Sequence, residues 1–273
     1  MNRSPESITL QREHAEVRIA PQRGAIVTSF RVRDRELLYL DQATFNDRSK
    51  NVRGGIPLLF PSPGKLENDR WQYAGRSGEM KQHGFARNLG WEVEGSIEPS
   101  CVTLAIESSD ETLQVYPWKF SARVTYSIEA AALQLHFVIA NRDTTPMPFA
   151  LGLHPYFIVN DKALAQVPTR ATQAFDNVAK RVVPFEDFDF TGGEVDMHLL
   201  DHGSSKARLR AGADSINIEC SPEFQRWVIW SVPGKQFVCL EPWSAPGNAL
   251  NTEEGIILLQ PAEERELSVR ISA

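Results

Sequence analysis

Three residues of this chain carry side chains suited to moving protons on a small substrate: His83, His154 and Glu241. His83 stands in Gln82-His83-Gly84-Phe85-Ala86-Arg87, where the glycine would let the backbone approach a ligand closely. His154 stands in Leu153-His154-Pro155-Tyr156-Phe157, after the apolar run Phe149-Ala150-Leu151-Gly152, so it must find a partner if buried. Glu241 ends the apolar run Val238-Cys239-Leu240, and a carboxylate in such a setting is rarely buried without a partner or a task. The ordinary alternatives are a solvated loop histidine, a satisfied core histidine and a strand-end acid. Two histidines and a glutamate support two mechanisms. One is metal-free proton transfer, with a carboxylate base and an imidazole acid on opposite sides of a small neutral substrate. The other is a two-histidine, one-carboxylate metal site. Spacing alone leaves both open.

Further groups could hold a ligand. Arg53 precedes Gly54-Gly55, and a guanidinium suits hydroxyl pairs, carboxylates and phosphates. Arg87 shares the His83 motif, and Asp196 follows the turn residues Gly192-Gly193. The spacing of Asp196, His198, Asp201 and His202 matches no strong metal signature and reads as a surface turn. His14 begins a strand, and His136 alternates within LQLHFVIA and is expected to point outward.

The elements that must position these residues read as strands. Period-two alternation runs through 14–20, 91–97, 101–108, 121–130, 133–141, 206–211, 215–220, 226–232, 236–241 and 266–272. Gly/Pro clusters punctuate them. No long segment carries a 3.6-residue apolar period; DKALAQVPTR (161–170), the nearest to a helix, is broken by Pro168. Neither a linker nor an internal repeat divides the chain. The expectation is one all-β domain over 1–273, a large antiparallel β-sandwich with helix confined to a turn or two. Residues 51–90 stand apart as long loops rich in Gly, Pro and charge, and their aromatics Phe60, Trp71, Tyr73 and Phe85 favour packing over disorder.

Composition narrows the function. The chain has 273 residues, 42% hydrophobic and 23% charged, an ordinary globular mix large enough to fold without disulfide or metal. Its net charge of −6 argues against nucleic-acid binding. Between Arg48 and Arg87, however, eight Lys/Arg stand against three Asp/Glu, a local excess of +5 that could concentrate an anionic ligand. Cys101, Cys220 and Cys239 make no paired framework, which favours reduced, buried thiols in a cytoplasmic protein. The first twenty residues lack the apolar core of a leader, and nothing approaches a membrane span.

Taken in order, RGGIPLLFPSPGKL, QHGFARNLGW, LGLHPYF, GEVD and VCLEPWSAPGNALN resemble the aldose 1-epimerase (galactose mutarotase-like) superfamily, from about Arg53 to the closing ELSVRIS. RGGIP and QHGFAR lie nearer the glucose-6-phosphate 1-epimerase-like branch, whereas Glu-Pro-Trp looks like a bacterial subgroup. The resemblance implies a supersandwich with a sugar cleft across one sheet and a mutarotase acting on a hexose or hexose 6-phosphate. It implies Glu241 as general base, His154 as general acid, His83 as a second histidine that hydrogen-bonds the sugar near the ring oxygen and supports developing charge, and Arg53, Arg87 and Asp196 as substrate-binding residues. Sugar-ring opening is already facile in water, so an acid and a base suffice without cofactor or metal. The partner expected is a small sugar or sugar phosphate, bound by a monomer or homodimer. A non-catalytic sugar-binding module is the competing reading, because folds outlive functions. A glycoside hydrolase is a third, but it needs two flanking carboxylates, for which only Glu241 and Asp196 stand out.

Overall fold

The computed structural model describes residues 6–273; the first five residues of the stretch read above for a leader lie outside it. Two eight-stranded antiparallel sheets dominate the described residues. The first is built from the long alternating strands, including Cys101–Glu107, Phe120–Glu129, Ala132–Asn141 and Glu264–Ser272. Along Ala132–Asn141, Leu133, Leu135, Phe137 and Ile139 are buried while Gln134, His136 and Val138 are half-exposed. That alternation turns one face to the core and one to water. His136 therefore points outward, as its spacing predicts.

The second sheet carries the strands Gln173–Asp176, Arg181–Pro184, Val195–Leu199, Arg226–Ser231 and Phe237–Trp243, with the short pieces Gly152–Leu153, Tyr156–Ile158 and Leu58–Leu59 along the far side of Phe237–Trp243. Trp227, Ile229, Val238 and Leu240 share one apolar cluster with Val124, Tyr126, Leu135, Phe137, Val269 and Ile271 of the first sheet. The two sheets thus pack face to face. Each fully buried side chain of this kind stabilises the fold by roughly 1.5–3 kcal/mol.

Every residue of Phe237–Trp243 is buried, so this strand is covered on both faces. Val238 and Leu240 enter the core, which leaves Cys239, Glu241 and Trp243 on the opposite face. Glu241 therefore sits inside a central strand rather than at its end. A proline in such a strand is unusual because it cannot donate to the ladder. Here the Ser244 N–H turns to Leu151 O on the neighbouring side, and by alternation position 242 faces that side too, where His154-Pro155 interrupts the pairing between Gly152↔Trp243 and Tyr156↔Cys239. Pro242 thus meets a gap that has no ladder bond to lose.

Among the described residues α-helix is limited to Gln42–Asn46, Asp110–Val115 and Ala249–Thr252, and 161–170 contributes only one 3-10 turn, Lys162–Leu164. The segment 51–90 is less loop-like than its composition suggests. It contains the hairpin Arg70–Tyr73/Arg76–Glu79, and Trp71 is buried with its indole N–H donating to Val115 O at 3.0 Å. Cys239 is buried, whereas Cys101 and Cys220 are only partly covered, a departure from three buried thiols. Among the described residues no helix is long and apolar enough to cross a membrane.

Candidate active site

A cleft of about 700 Å³ lies over the second sheet on the face away from the core. Its floor is made by alternate residues of neighbouring strands: Asp196 and His198, Val228 and Trp230, Glu241 and Trp243. Its walls come from loops that carry Arg53, Lys65, His83, Arg87 and Gly247. The six residues singled out from sequence all line this one cavity.

Glu241 is 1% exposed. Its Oε2 accepts a hydrogen bond from the Trp243 indole N–H at 3.2 Å, which leaves Oε1 toward His154. The Nδ1 of His154 lies 3.4 Å from that Oε1, without the alignment of a hydrogen bond, and is an orphaned buried polar atom. His154 is 8% exposed and stacks on Tyr156, with centroids 4.6 Å apart and planes 10° apart. Trp230 closes on its edge at 5.6 Å. The imidazole plane is therefore set by packing. The imidazole and the carboxylate stand side by side, not on opposite sides of a small substrate as the residue types alone suggest.

Burial governs their protonation. It pushes the Glu241 carboxyl well above the usual carboxylate range, reinforced by the negative charge of Asp196 and opposed by the Trp243 hydrogen bond and Arg87. It pushes His154 well below the usual imidazole range, helped by His83 and Arg87. Both groups are driven toward their neutral forms. His83 is pushed down to about 3, first by burial and then by Arg87. Its Nδ1–H donates to Pro63 O, which leaves Nε2 as the acceptor of a neutral ring.

His83 is held by backbone geometry as well. It adopts φ +72°, unusual for a non-glycine residue, and its N–H donates to Gly64 O at 3.2 Å. Gly84 follows at φ +68°, and a Cβ there would lie 2.2 Å from Phe60 O. The glycine is needed for a close crossing of two backbone segments rather than for approach to a ligand.

Asp196 is not an exposed turn acid. It lies half-buried within Val195–Leu199, where Oδ2 accepts from Asn177 Nδ2 at 2.6 Å and Oδ1 lies 3.6 Å from His198 Nε2. His198 and His202 are likewise not in a surface turn. His198 faces the cleft, edge-on to Trp243 at 5.3 Å. His202 is buried, its Nε2–H donating to Lys206 O at 2.9 Å and its Nδ1 accepting from Thr169 at 2.8 Å. Tyr156, Trp230 and Trp243 were missed because aromatics in apolar runs read as core, His198 because its stretch reads as a surface turn, and Asn177 because no spacing marks it. Trp243 and His198 were findable: each is two residues from a singled-out acid, hence on the same strand face.

Of the eight cations between Arg48 and Arg87, three face the cleft: Arg53, Lys65 and Arg87. Arg70 pairs with Glu79, Lys50 with Asp47, and Arg76 lies over Trp118. Arg87 donates through Nη2 to Gln82 O at 3.0 Å, while its Nε is buried without a partner. None of the three cleft cations forms an ion pair among the described residues. The donors that come together with metal-ligand spacing are not the two histidines with Glu241. They are His154, Cys239 and Glu241, one ligand atom from each within 4.8 Å of the others.

Comparison with known proteins matches the aldose 1-epimerase family model to residues 6–272. The solved structure of the Slr1438 protein from Synechocystis sp. PCC 6803 superposes with a TM-score of 0.94 at 33% identity, over 98% of this chain and 96% of that one. Protein LacX of Lactococcus lactis subsp. lactis is 27% identical over 284 residues, covering 92% of this chain and 91% of that protein. A protein of Cenchrus ciliaris named as a candidate glucose-6-phosphate 1-epimerase is 25% identical over 285 residues, covering 92% of this chain and 79% of its own.

Proposed function

Because the chain belongs to the aldose 1-epimerase family, a family of sugar-processing isomerases, we propose that it interconverts the α and β anomers of a hexose or hexose 6-phosphate by acid–base ring opening and reclosure. The observation that carries this reading is the buried His154–Glu241 pair, 3.4 Å apart on the floor of the cleft. The hydroxyl and the ring oxygen that must exchange protons sit on one carbon, C1. An acid and a base side by side can therefore reach both.

Oε1 of Glu241 takes the proton from the C1 hydroxyl. His154 delivers a proton to the ring oxygen as the C1–O5 bond breaks, giving the open-chain aldehyde. Rotation about C1–C2 and the reverse transfers close the other anomer. The pair carries one proton throughout: carboxylate with imidazolium before opening, carboxylic acid with imidazole after it. Burial favours the neutral form of both groups, the form reached when the ring opens. Each group typically contributes ~10²–10⁴-fold.

In this reading His83 keeps the hydrogen bond to the sugar that the resemblance implies, but not the support of charge. A ring that stays neutral at working pH, with Nδ1–H engaged by Pro63, offers Nε2 as an acceptor for a sugar hydroxyl. The cation supporting developing negative charge is then Arg87. Asp196, held by Asn177, accepts from a second hydroxyl. The unpaired Arg53, Lys65 and Arg87 favour a phosphate ester over a neutral hexose.

NMR exchange or polarimetry on freshly dissolved α-glucose, α-galactose and α-glucose 6-phosphate tests the reading. Wild-type protein accelerates anomer exchange, fastest for the phosphate, and Glu241→Gln abolishes the acceleration. Saturable sugar binding unchanged in Glu241→Gln, with no turnover by wild type, would make the protein a binding module instead.

A further inference from the structure

Cys239 is a buried thiol that the proton transfer does not use, and it is absent from the lining of the cleft. It lies two residues before Glu241 on the same face of the same strand, directly opposite Tyr156 and Trp230 in the neighbouring strands. One ligand atom each of His154, Cys239 and Glu241 lies within 4.8 Å of the others. An independent observation stands beside that grouping: Nδ1 of His154 is buried with no hydrogen-bond partner and lies 3.4 Å from Oε1 of Glu241. Trp243 engages only Oε2, so Oε1 has a free lone pair.

We propose that His154 Nδ1, Cys239 Sγ and Glu241 Oε1 form a latent site for Zn²⁺, and that the ion arrests catalysis by taking the lone pairs the proton transfer needs. The donor set is the nitrogen, sulfur and oxygen mixture that zinc accepts. Metal–nitrogen and metal–oxygen bonds of about 2.0–2.2 Å at a tetrahedral centre put N and O about 3.4 Å apart, the separation observed here. The thiol closes in by up to about 1 Å to complete a Zn–S bond of about 2.3 Å. Binding releases two protons to solvent, that of the thiol and the one that the His154–Glu241 pair carries. Zn²⁺ with one thiolate and one carboxylate is then neutral overall, which a buried site requires. Water completes the tetrahedron. Only the effect on turnover rests on the proposed function; the binding itself does not.

Cobalt(II) serves as the spectroscopic probe, because a thiolate–cobalt bond gives a near-ultraviolet charge-transfer band. Full-length protein carrying Cys101→Ser and Cys220→Ser keeps Cys239 as its sole thiol. It develops the band with one equivalent of Co²⁺, and Zn²⁺ bleaches it. Adding Cys239→Ser, or Cys239→Ala as a second variant of unchanged Tm, removes the band. In the anomer assay Zn²⁺ slows wild-type exchange at least tenfold, a chelator restores it, and the Cys239 variants keep basal turnover while needing at least about tenfold more Zn²⁺. No band from the sole-thiol protein, or a band surviving Cys239→Ala, overturns the site. A missing band with normal turnover leaves the epimerase reading intact, whereas a band without anomer exchange under any condition retires the epimerase reading and keeps the site.

Discussion

Two histidine–carboxylate pairs in this molecule invite comparison. His154 and Glu241 approach to 3.4 Å beneath the cleft, and His136 and Glu266 approach to 3.2 Å on the outer face of the other sheet. The residue types match and the distances nearly so. Their surroundings do not: the Glu241 side chain is 1% exposed and that of Glu266 75%. In water an ion pair is screened and contributes little. Beneath the cleft, burial displaces the two proton affinities in opposite directions, the carboxyl upward and the imidazole downward. Environment, not proximity, makes one pair a candidate acid and base and the other a surface contact.

The largest effect that would break this contrast is on turnover. Glu241→Gln and His154→Ala should each slow anomer exchange by ~10²–10⁴-fold with circular dichroism unchanged. Equal losses from His136→Ala would erase the distinction.

Next comes the support of the carboxylate. Trp243→Phe keeps the ring but removes the donor to Oε2, and should cost about tenfold or more in kcat, since a hydrogen bond to a charged group is worth roughly 1.5–3 kcal/mol. Turnover unaffected by that change would mean the indole only packs.

A third prediction concerns pH. In the proposed mechanism the buried pair shares one proton, so kcat against pH should be bell-shaped, falling when the proton is lost at high pH and when a second is gained at low pH. Arg87 holds both Glu241 and His154 down. Removing that cation in Arg87→Met raises both proton affinities and moves the whole bell to higher pH. A profile that stays in place while only KM rises would restrict Arg87 to binding substrate.

The smallest effect belongs to the exposed pair. His136→Ala and Glu266→Gln should change stability by less than about 0.5 kcal/mol by chemical denaturation and leave the pH profile unmoved. A larger loss would show that the outer pair is coupled to the core.

The elements divide in the same way. Ala132–Asn141 and Glu264–Ser272 were legible because several turns of alternation separate a core face from a wet one. Leu58–Leu59, Gly152–Leu153 and Tyr156–Ile158 were not, since two or three residues show no period. Yet these fragments place His154 beside Glu241, and the break between the last two accommodates Pro242.

By itself the sequence determined the strand-rich architecture, the local cationic excess and which side chains could act, because alternation, charge and functional-group chemistry are properties of short stretches. The family resemblance implied roles for them. The tertiary structure decided which histidine meets Glu241, that a buried cysteine joins them, that His83 presents an acceptor, and that three of eight cations face the cleft. Those outcomes depend on distance, burial and desolvation between residues remote in the chain, and such quantities exist only once the sheets are assembled.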